Sequence, residues 1–228
     1  MAITLWNRRD AMRLGTAAGL GAFAAGCKRG ADDEDILPPE DLMREHGALN
    51  RVLLVYEESA RRLETPDLSP PFDALNGAAD IIGRFIQDYH EKLEEEFLFP
   101  RFEKAGKLAE LAATLREQHH AGRRLTERIR TLATPAAIAS NAMAKGQLVG
   151  ALRAFVRMYR PHEAREDTVL FPALREIMSH KELEKLGERF EGQEKELFGK
   201  KGFEGIVEQV ARLESQLGIH DLHLFTPT

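Results

Sequence analysis

The chain contains an internal repeat built around a histidine, and this repeat constrains the fold more than any other feature. The segment HEKLEEEFLFPRF at 90–102 matches HEAREDTVLFPAL at 162–174 in His, Glu, Glu, Leu, Phe and Pro, at an offset of 72 residues. A second pair of histidines, His46 and His119, lies 73 residues apart. Because both pairs keep nearly the same spacing, the sequence predicts two copies of one structural unit.

Each copy contains two segments whose apolar residues recur at alternating steps of three and four, the period of an amphipathic α-helix. Two such helical hairpins favour an all-α, up-and-down four-helix bundle, which we place at residues 38–180. The apolar residues of each helix form a stripe along one face, and one histidine lies in the middle of every stripe. The four predicted stripes are Leu42, His46, Leu49, Leu53, Tyr56, Ala60 and Leu63; Leu75, Ala79, Ile82, Ile86, His90, Glu94 and Phe97; Leu108, Leu111, Leu115, His119, Gly122, Leu125, Ile129 and Leu132; and Leu152, Phe155, Tyr159, His162, Glu166 and Val169.

Four core histidines need a common explanation. A single buried histidine is usually satisfied by a local hydrogen bond, whereas an unpaired buried imidazole costs about 1–3 kcal/mol. The pseudo-twofold symmetry of two hairpins would bring all four histidines around one central point. A metal bound at that point would satisfy all of them at once.

Two glutamates share helix faces with histidines. His90 and Glu94 are four residues apart, as are His162 and Glu166, which puts each pair on one face about 6 Å apart along the helix axis. One such pair is a weak signal, but two copies in register, each with a further histidine from the preceding helix, make a strong one. The predicted metal ligands are His46, His90, Glu94, His119, His162 and Glu166.

This ligand set predicts a two-metal site. If both carboxylates bridge two ions, each ion receives four protein donors and keeps about two open positions in an octahedral arrangement. Nitrogen and oxygen donors without thiolate favour iron or manganese over a soft metal. Zinc could occupy the same donors but has no redox chemistry. Open positions on a redox-active pair favour dioxygen, peroxide or nitric oxide as ligands.

Several neighbouring residues have two interpretations. His120 competes with His119, but position 119 continues the stripe whereas position 120 points about 100° away. Glu91 and Glu163 lie one step off the stripe and are expected on a solvated face. The three tyrosines of the helices are expected to be core residues. These are Tyr56, Tyr89 and Tyr159.

The pattern H…HxxxE…H…HxxxE, with LFP after each HxxxE, resembles the hemerythrin family and its bacterial HHE cation-binding branch over about residues 38–180. The resemblance implies a four-helix bundle, a non-haem diiron centre held by the six residues named above, and reversible oxygen binding or related sensing and redox roles. Oxygen-carrying members have a further histidine four residues after the third-helix histidine, where this chain has Arg123. They also use an aspartate at the position of Asp167, which is the alternative to Glu166.

The first residues have the order of an export signal. Arg8 and Arg9 resemble a twin-arginine signal, although Ala11 stands where that signal usually has Phe, and the apolar stretch 14–25 is too short to span a bilayer. The segment FAAGC ending at Cys27 resembles a lipoprotein processing box. We therefore expect an export signal at 1–27, acylation of Cys27, a flexible tether at 28–37, and a lipid-anchored protein in the periplasm or on the outer face of a bacterial membrane.

Composition excludes several other classes of protein. One cysteine rules out a disulfide framework, and a net charge of -5 without a Lys/Arg cluster argues against nucleic acid as a partner. Residues 181–228 predict a C-terminal helical extension whose amphipathic helices, 181–199 and 203–218, pack on the bundle. The histidines outside the stripes are expected at the surface. These are His180, His220 and His223.

Three classes of function fit these features. The first is an exported diiron protein that binds dioxygen or a related small molecule for sensing, buffering or redox protection. The second is a diiron oxidase or peroxidase, and the third is an interaction module that responds to iron or oxygen. No nucleophile triad or nucleotide-binding motif occurs in the sequence, so enzyme activity depends on the metal site alone. The oligomeric state has no signal in the sequence.

Overall fold

The computed structural model describes residues 36–66, 68 and 71–227. The described residues form helices and no β-strand, which confirms the predicted all-α class. The predicted export signal, Cys27 and the tether up to residue 35 lie outside the described residues. Among the helices that are described, none is both long and apolar enough to cross a membrane.

The first bundle helix is α1, Pro38–Glu64. Pro38 and Pro39 occupy its first turn, where a missing N–H costs nothing, and Glu40 and Asp41 complement the positive end of the helix dipole. All seven residues of its predicted stripe are at most 3% exposed, so the α1 periodicity correctly predicted the buried face.

The second bundle helix is continuous but irregular. It consists of α2 (Phe72–Ile81), a π-helical segment (Ile82–His90), α3 (Glu91–Leu93), a second π-helical segment (Glu94–Leu98) and α4 (Phe99–Ala105). It ends at Gly106, whose φ of +63° is the left-handed conformation that glycine adopts without a steric penalty.

The third bundle helix is α5, Ala109–Leu132, and the short α6, Pro135–Ser140, lies in the connection that follows. The fourth consists of α7 (Ala144–Arg165), a π-helical segment (Glu166–Leu170) and α8 (Phe171–Ile177). Contacts join α1 to α2, α2 to α5, α5 to α7 and α7 to α1. This closed ring of neighbours is the up-and-down arrangement expected for a bundle of two hairpins.

Two of the π-helical segments begin at the predicted ligands Glu94 and Glu166. In both, the N–H five residues later closes the widened turn, from Phe99 to the Glu94 carbonyl and from Phe171 to the Glu166 carbonyl. A proline follows each phenylalanine and cannot donate the next α-helical hydrogen bond, which explains why the widened turn occurs at both places.

The π-helical segment Glu166–Leu170 contradicts one expectation from the sequence. Val169, predicted on the inward stripe, is 37% exposed, whereas Leu170 and Phe171 are fully buried. The widened turn adds a residue and rotates the following side chains, so the regular period of the stripe no longer applies after Glu166.

The C-terminal extension packs on the bundle, as its apolar stripes predicted. It contains α9 (His180–Phe198), a 3-10 turn (Gly199–Lys201), α10 (Gly202–Leu217) and a final 3-10 turn (Leu222–Phe225). A capping box of Ser179 and Glu182 starts α9. Both helices contact α1, and α10 also contacts α2. The side chains that they bury include Leu183, Leu186, Phe190, Ile206, Val210, Leu213 and Leu217.

Candidate metal centre

The structure brings the six predicted ligands together in the centre of the bundle, where each is at most 4% exposed. Their donor atoms form two groups, and within each group these atoms lie within 4.8 Å of one another. Both groups contain Glu94 and Glu166, so the two carboxylates are common to both. The first group is His46, His90, Glu94 and Glu166, and the second is Glu94, His119, His162 and Glu166.

The histidines of each group face each other through their Nε2 atoms. The Nε2 atoms of His46 and His90 are 3.1 Å apart, and those of His119 and His162 are 3.3 Å apart. Glu94 Oε2 lies 3.3 Å from His119 Nε2 and 3.8 Å from His90 Nε2. The second carboxylate mirrors this arrangement, because Glu166 Oε2 lies 3.1 Å from His162 Nε2 and 3.4 Å from His46 Nε2.

These residues fit a pair of cations. All four carboxylate oxygens of Glu94 and Glu166 are buried without a hydrogen-bond partner among the described residues. Buried, unpaired carboxylate oxygens are costly unless a cation is close by. The donor set of imidazole nitrogen and carboxylate oxygen suits iron, manganese or zinc.

A second layer of residues, which the sequence did not predict, holds the imidazole rings by their Nδ1 atoms. His46 Nδ1–H donates to Asp167 Oδ1 at 2.7 Å, and His90 Nδ1–H donates to Glu45 Oε2 at 2.8 Å. An imidazole whose Nδ1–H donates presents an unprotonated Nε2 to a metal, so each contact fixes both the tautomer and the ring orientation.

The other two histidines have corresponding partners. His119 Nδ1–H donates to Glu95 Oε1 at 3.0 Å, and His162 Nδ1–H donates to Gln118 Oε1 at 2.9 Å. Glu45 and Gln118 are 73 residues apart, and Glu95 and Asp167 are 72 apart. The repeat therefore includes the second layer, and these spacings are the signal that could have identified it.

Two phenylalanines of the repeated LFP segments complete the packing around the rings. Phe171 stacks on His46 with ring centroids 5.4 Å apart, and Phe99 stacks on His119 at 5.5 Å. Each phenylalanine directly follows one of the π-helical segments. The repeated segment thus supplies a ligand and the ring that holds a histidine of another helix in place.

Electrostatics at the centre show the cost of leaving it without a cation. Burial and the nearby Glu166 raise the pKa of Glu94 well above its usual range. Burial alone would lower the pKa of His46, but Asp167 and Glu166 reverse this and raise it to about 10. Burial and His46 lower the pKa of His90 well below its ordinary value. In the metal-free protein, bound protons therefore take the place of positive ions.

The two alternative ligands lie outside the centre. His120 is exposed and its Nδ1 is 3.5 Å from an Arg123 nitrogen, so the α5 stripe correctly distinguishes it from His119. Asp167 belongs to neither donor group. Its carboxylate accepts from His46 Nδ1–H instead, which is a supporting position. The three histidines expected at the surface, His180, His220 and His223, are all exposed.

The expectation that Glu91 and Glu163 lie on a solvated face is wrong. They are 1% and 2% exposed, because the faces beside the stripe are covered by neighbouring helices. Asn50 donates a short hydrogen bond to Glu163 Oε2. Burial raises the pKa of both carboxyl groups to about 8.

Arg123, four residues after His119, forms a half-buried ion-pair cluster. Its Nη2 lies 2.9 Å from Glu91 Oε2 and 2.7 Å from Glu95 Oε1. Tyr159 donates its phenol O–H to Glu91 Oε1 at 2.6 Å, and its ring centroid is 5.4 Å from that of His162. Tyr159 is thus a core residue, as expected, but it also belongs to the polar surroundings of the centre.

Comparison with known proteins agrees with this geometry. The chain is 51% identical over 193 residues to Uncharacterized protein Mb2018 of Mycobacterium bovis and to Uncharacterized protein Rv1995 of Mycobacterium tuberculosis, covering 85% of this chain and 75% of each relative. No solved structure matches it. The family model described as the hemerythrin HHE cation binding domain matches residues 37–174, the part that contains all six predicted ligands. The chain therefore belongs to the hemerythrin HHE cation-binding family.

Proposed function

We propose that the protein holds two iron ions in the bundle centre and binds dioxygen, or a related small molecule such as nitric oxide or peroxide, for sensing, buffering or redox protection. The observation that carries the proposal is the pair of four-residue donor groups that share Glu94 and Glu166. Two carboxylates placed between two pairs of histidines suit two ions better than one.

The residues of this chain have separate roles in the proposed centre. His46 and His90 hold one ion, His119 and His162 hold the other, and Glu94 and Glu166 bridge the two. An iron pair supplies redox chemistry and open positions for a small ligand. Because the six side chains are almost fully buried, only a molecule of a few atoms reaches them without opening the bundle.

One surface groove lies away from the six proposed ligands. A groove of about 520 Å³ runs between α1 and α7, lined by residues such as Tyr56, Arg153 and Arg157. None of its lining residues is one of the six ligands. A larger substrate in this groove would not touch the proposed ions.

A second candidate is the reduction of hydrogen peroxide at the same centre, and Tyr159 favours it. This reaction consumes protons as well as electrons from an external reductant. The buried phenol beside His162, hydrogen-bonded to Glu91, is placed to deliver a proton near the ions. Reductant-dependent consumption of peroxide that falls in Tyr159→Phe would support this activity.

The test of the proposed function is the iron content and optical spectrum of the purified full chain, first reduced and then exposed to air. We expect about two irons per chain and new near-ultraviolet absorption on exposure to air. Reversal of that absorption under vacuum supports a binding protein, and its decay with turnover supports an enzyme. A folded bundle that takes up one zinc or no metal would contradict the proposal.

We also propose that the bundle is exported and anchored through lipid on Cys27, outside the cytoplasmic membrane. The twin-arginine route carries folded proteins, which would allow metal to be inserted before export. Fractionation of cells that make the full chain or Cys27→Ser tests this proposal. The expected result is membrane association of the full chain and its loss in the variant, and equal solubility of both would contradict it.

A further inference from the structure

We propose that the two ion positions are unequal, and that the position between His46 and His90 binds a divalent cation more tightly than the position between His119 and His162. This inference rests on the proposed two-ion site and goes beyond it by naming the residues that set the difference. The proposed ligands are of the same kind in both halves, two histidines and two shared carboxylates. The second layer, although its positions repeat, differs in charge.

The His46–His90 half is backed by carboxylates. Both Nδ1–H groups donate to acidic residues, Asp167 and Glu45. Behind Glu45 lie further acidic groups, since carboxylate oxygens of Asp41, Glu45 and Glu194 lie within 4.8 Å of one another. The rings of both histidines in this half are therefore held by carboxylates.

In the His119–His162 half only one of the two Nδ1 partners is a carboxylate. Gln118, a neutral amide, replaces the acidic partner on His162. Glu95, the acidic partner of His119, also bonds the Arg123 guanidinium at 2.7 Å. Asn50, the repeat counterpart of Arg123, is neutral and donates to Glu163.

This difference changes the histidines as ligands. A carboxylate that accepts from Nδ1–H makes the imidazole more basic and stabilises positive charge on the metal, and losing such a partner costs about 10–100-fold in metal affinity. An amide on His162 and a guanidinium on Glu95 both reduce this effect. The two halves therefore differ by at least about tenfold in affinity, and the ions load in order.

The test is an anaerobic calorimetric titration of the metal-free full chain with Co²⁺. We expect two binding steps separated by at least about tenfold in dissociation constant. His119→Ala should keep the tight step and lose the weak one, whereas His46→Ala should lose the tight step. Circular dichroism before each titration establishes that the metal-free variant is folded.

Two second-layer variants test the cause of the difference. Gln118→Glu should tighten the weak step, and Glu45→Gln should weaken the tight step, so each brings the two steps closer together. Matched controls make the same charge changes at exposed positions of α5 that belong to neither donor group, Ala113→Glu and Glu117→Gln. Neither control should change the separation.

A second measurement starts from loaded protein and so does not depend on a folded metal-free state. Loss of Co²⁺ to excess EDTA should be biphasic in the natural sequence, and the two phases should converge in Gln118→Glu. Two ions with one affinity, or a tight step that survives His46→Ala, would overturn the inference while leaving the two-ion site intact. Failure to bind any Co²⁺ would instead overturn the proposed function as well.

Discussion

The hydroxyl oxygen of Tyr159 lies against the backbone of Gly122, so close that a Cβ at position 122 would be only 2.0 Å from it. The absent side chain lets the Tyr159 hydroxyl reach Glu91 across the bundle. At the corresponding positions of the other half, Leu49 replaces the glycine and Gln87 replaces the tyrosine.

Replacing Gly122 with alanine should therefore destabilise the protein and move Tyr159. The added methyl group overpacks a buried contact, for which we expect a loss of about 1–3 kcal/mol in the free energy of unfolding. Urea denaturation measures it. Gly150→Ala is the control, since a Cβ there meets nothing within 4 Å and the change should be neutral or stabilising. Equal stability of the two variants would contradict the close contact.

Removing the His119 side chain should reduce the amount of bound iron, whereas removing the His120 side chain should not. His119 belongs to a donor group and is fully buried, and His120 is exposed on the same helix. We expect His119→Ala to retain about half of the iron and His120→Ala to retain all of it, as measured on purified protein. Loss of iron only from His120→Ala would show that His120, and not His119, is the ligand.

The metal-free protein should lose stability as the pH rises from about 6.5 to about 8. Burial raises the pKa of Glu91 and Glu163 to about 8, whereas both groups titrate near 4.5 in the unfolded chain. Below about pH 6.5 the pKa values of His90 and His119, which burial lowers, act in the opposite direction. Above about pH 6.5 the folded protein binds more protons than the unfolded chain, so the free energy of unfolding falls with pH, by about a few kcal/mol in total. His46, with a pKa raised to about 10, adds a further loss above about pH 6.5.

Urea unfolding with EDTA at several pH values measures this slope. Glu163→Gln should flatten it, because the amide cannot ionise and still accepts the hydrogen bond from Asn50. Bound metal should oppose the trend, since ligands must be deprotonated to bind it. A metal-free protein that becomes more stable between about pH 6.5 and 8 would contradict the burial of these carboxyl groups.

The C-terminal extension should contribute to the stability of the bundle. Phe190 of α9 is 1% exposed and its ring centroid is 5.8 Å from that of Phe97. Phe190→Ala should lower the free energy of unfolding by about 3–5 kcal/mol. Leu197→Ala on the same helix is the control, because Leu197 is 57% exposed and should change stability by less than about 0.5 kcal/mol. Similar effects of both changes would indicate an extension that does not pack on the bundle.

The fold and the six central side chains followed from local periodicity and from the repeat. Helical spacing alone placed His90 with Glu94 and His162 with Glu166 on inward faces, and it separated His119 from His120. The repeat then predicted that the two halves meet at one point. These features can be predicted from the sequence because helical periodicity depends only on residues that are close together in the chain.

Only the tertiary structure decided what surrounds those six residues. Val169 turned outward because a widened turn at Glu166 rotates the chain, and Glu91 and Glu163 became buried because neighbouring helices cover the faces beside the stripe. The partners of the Nδ1 atoms, such as Glu45 for His90, come from other helices, and helix rotation determines which of them reach a ring. The sequence by itself determined which residues face the centre, and packing between helices decided which charges stand behind them.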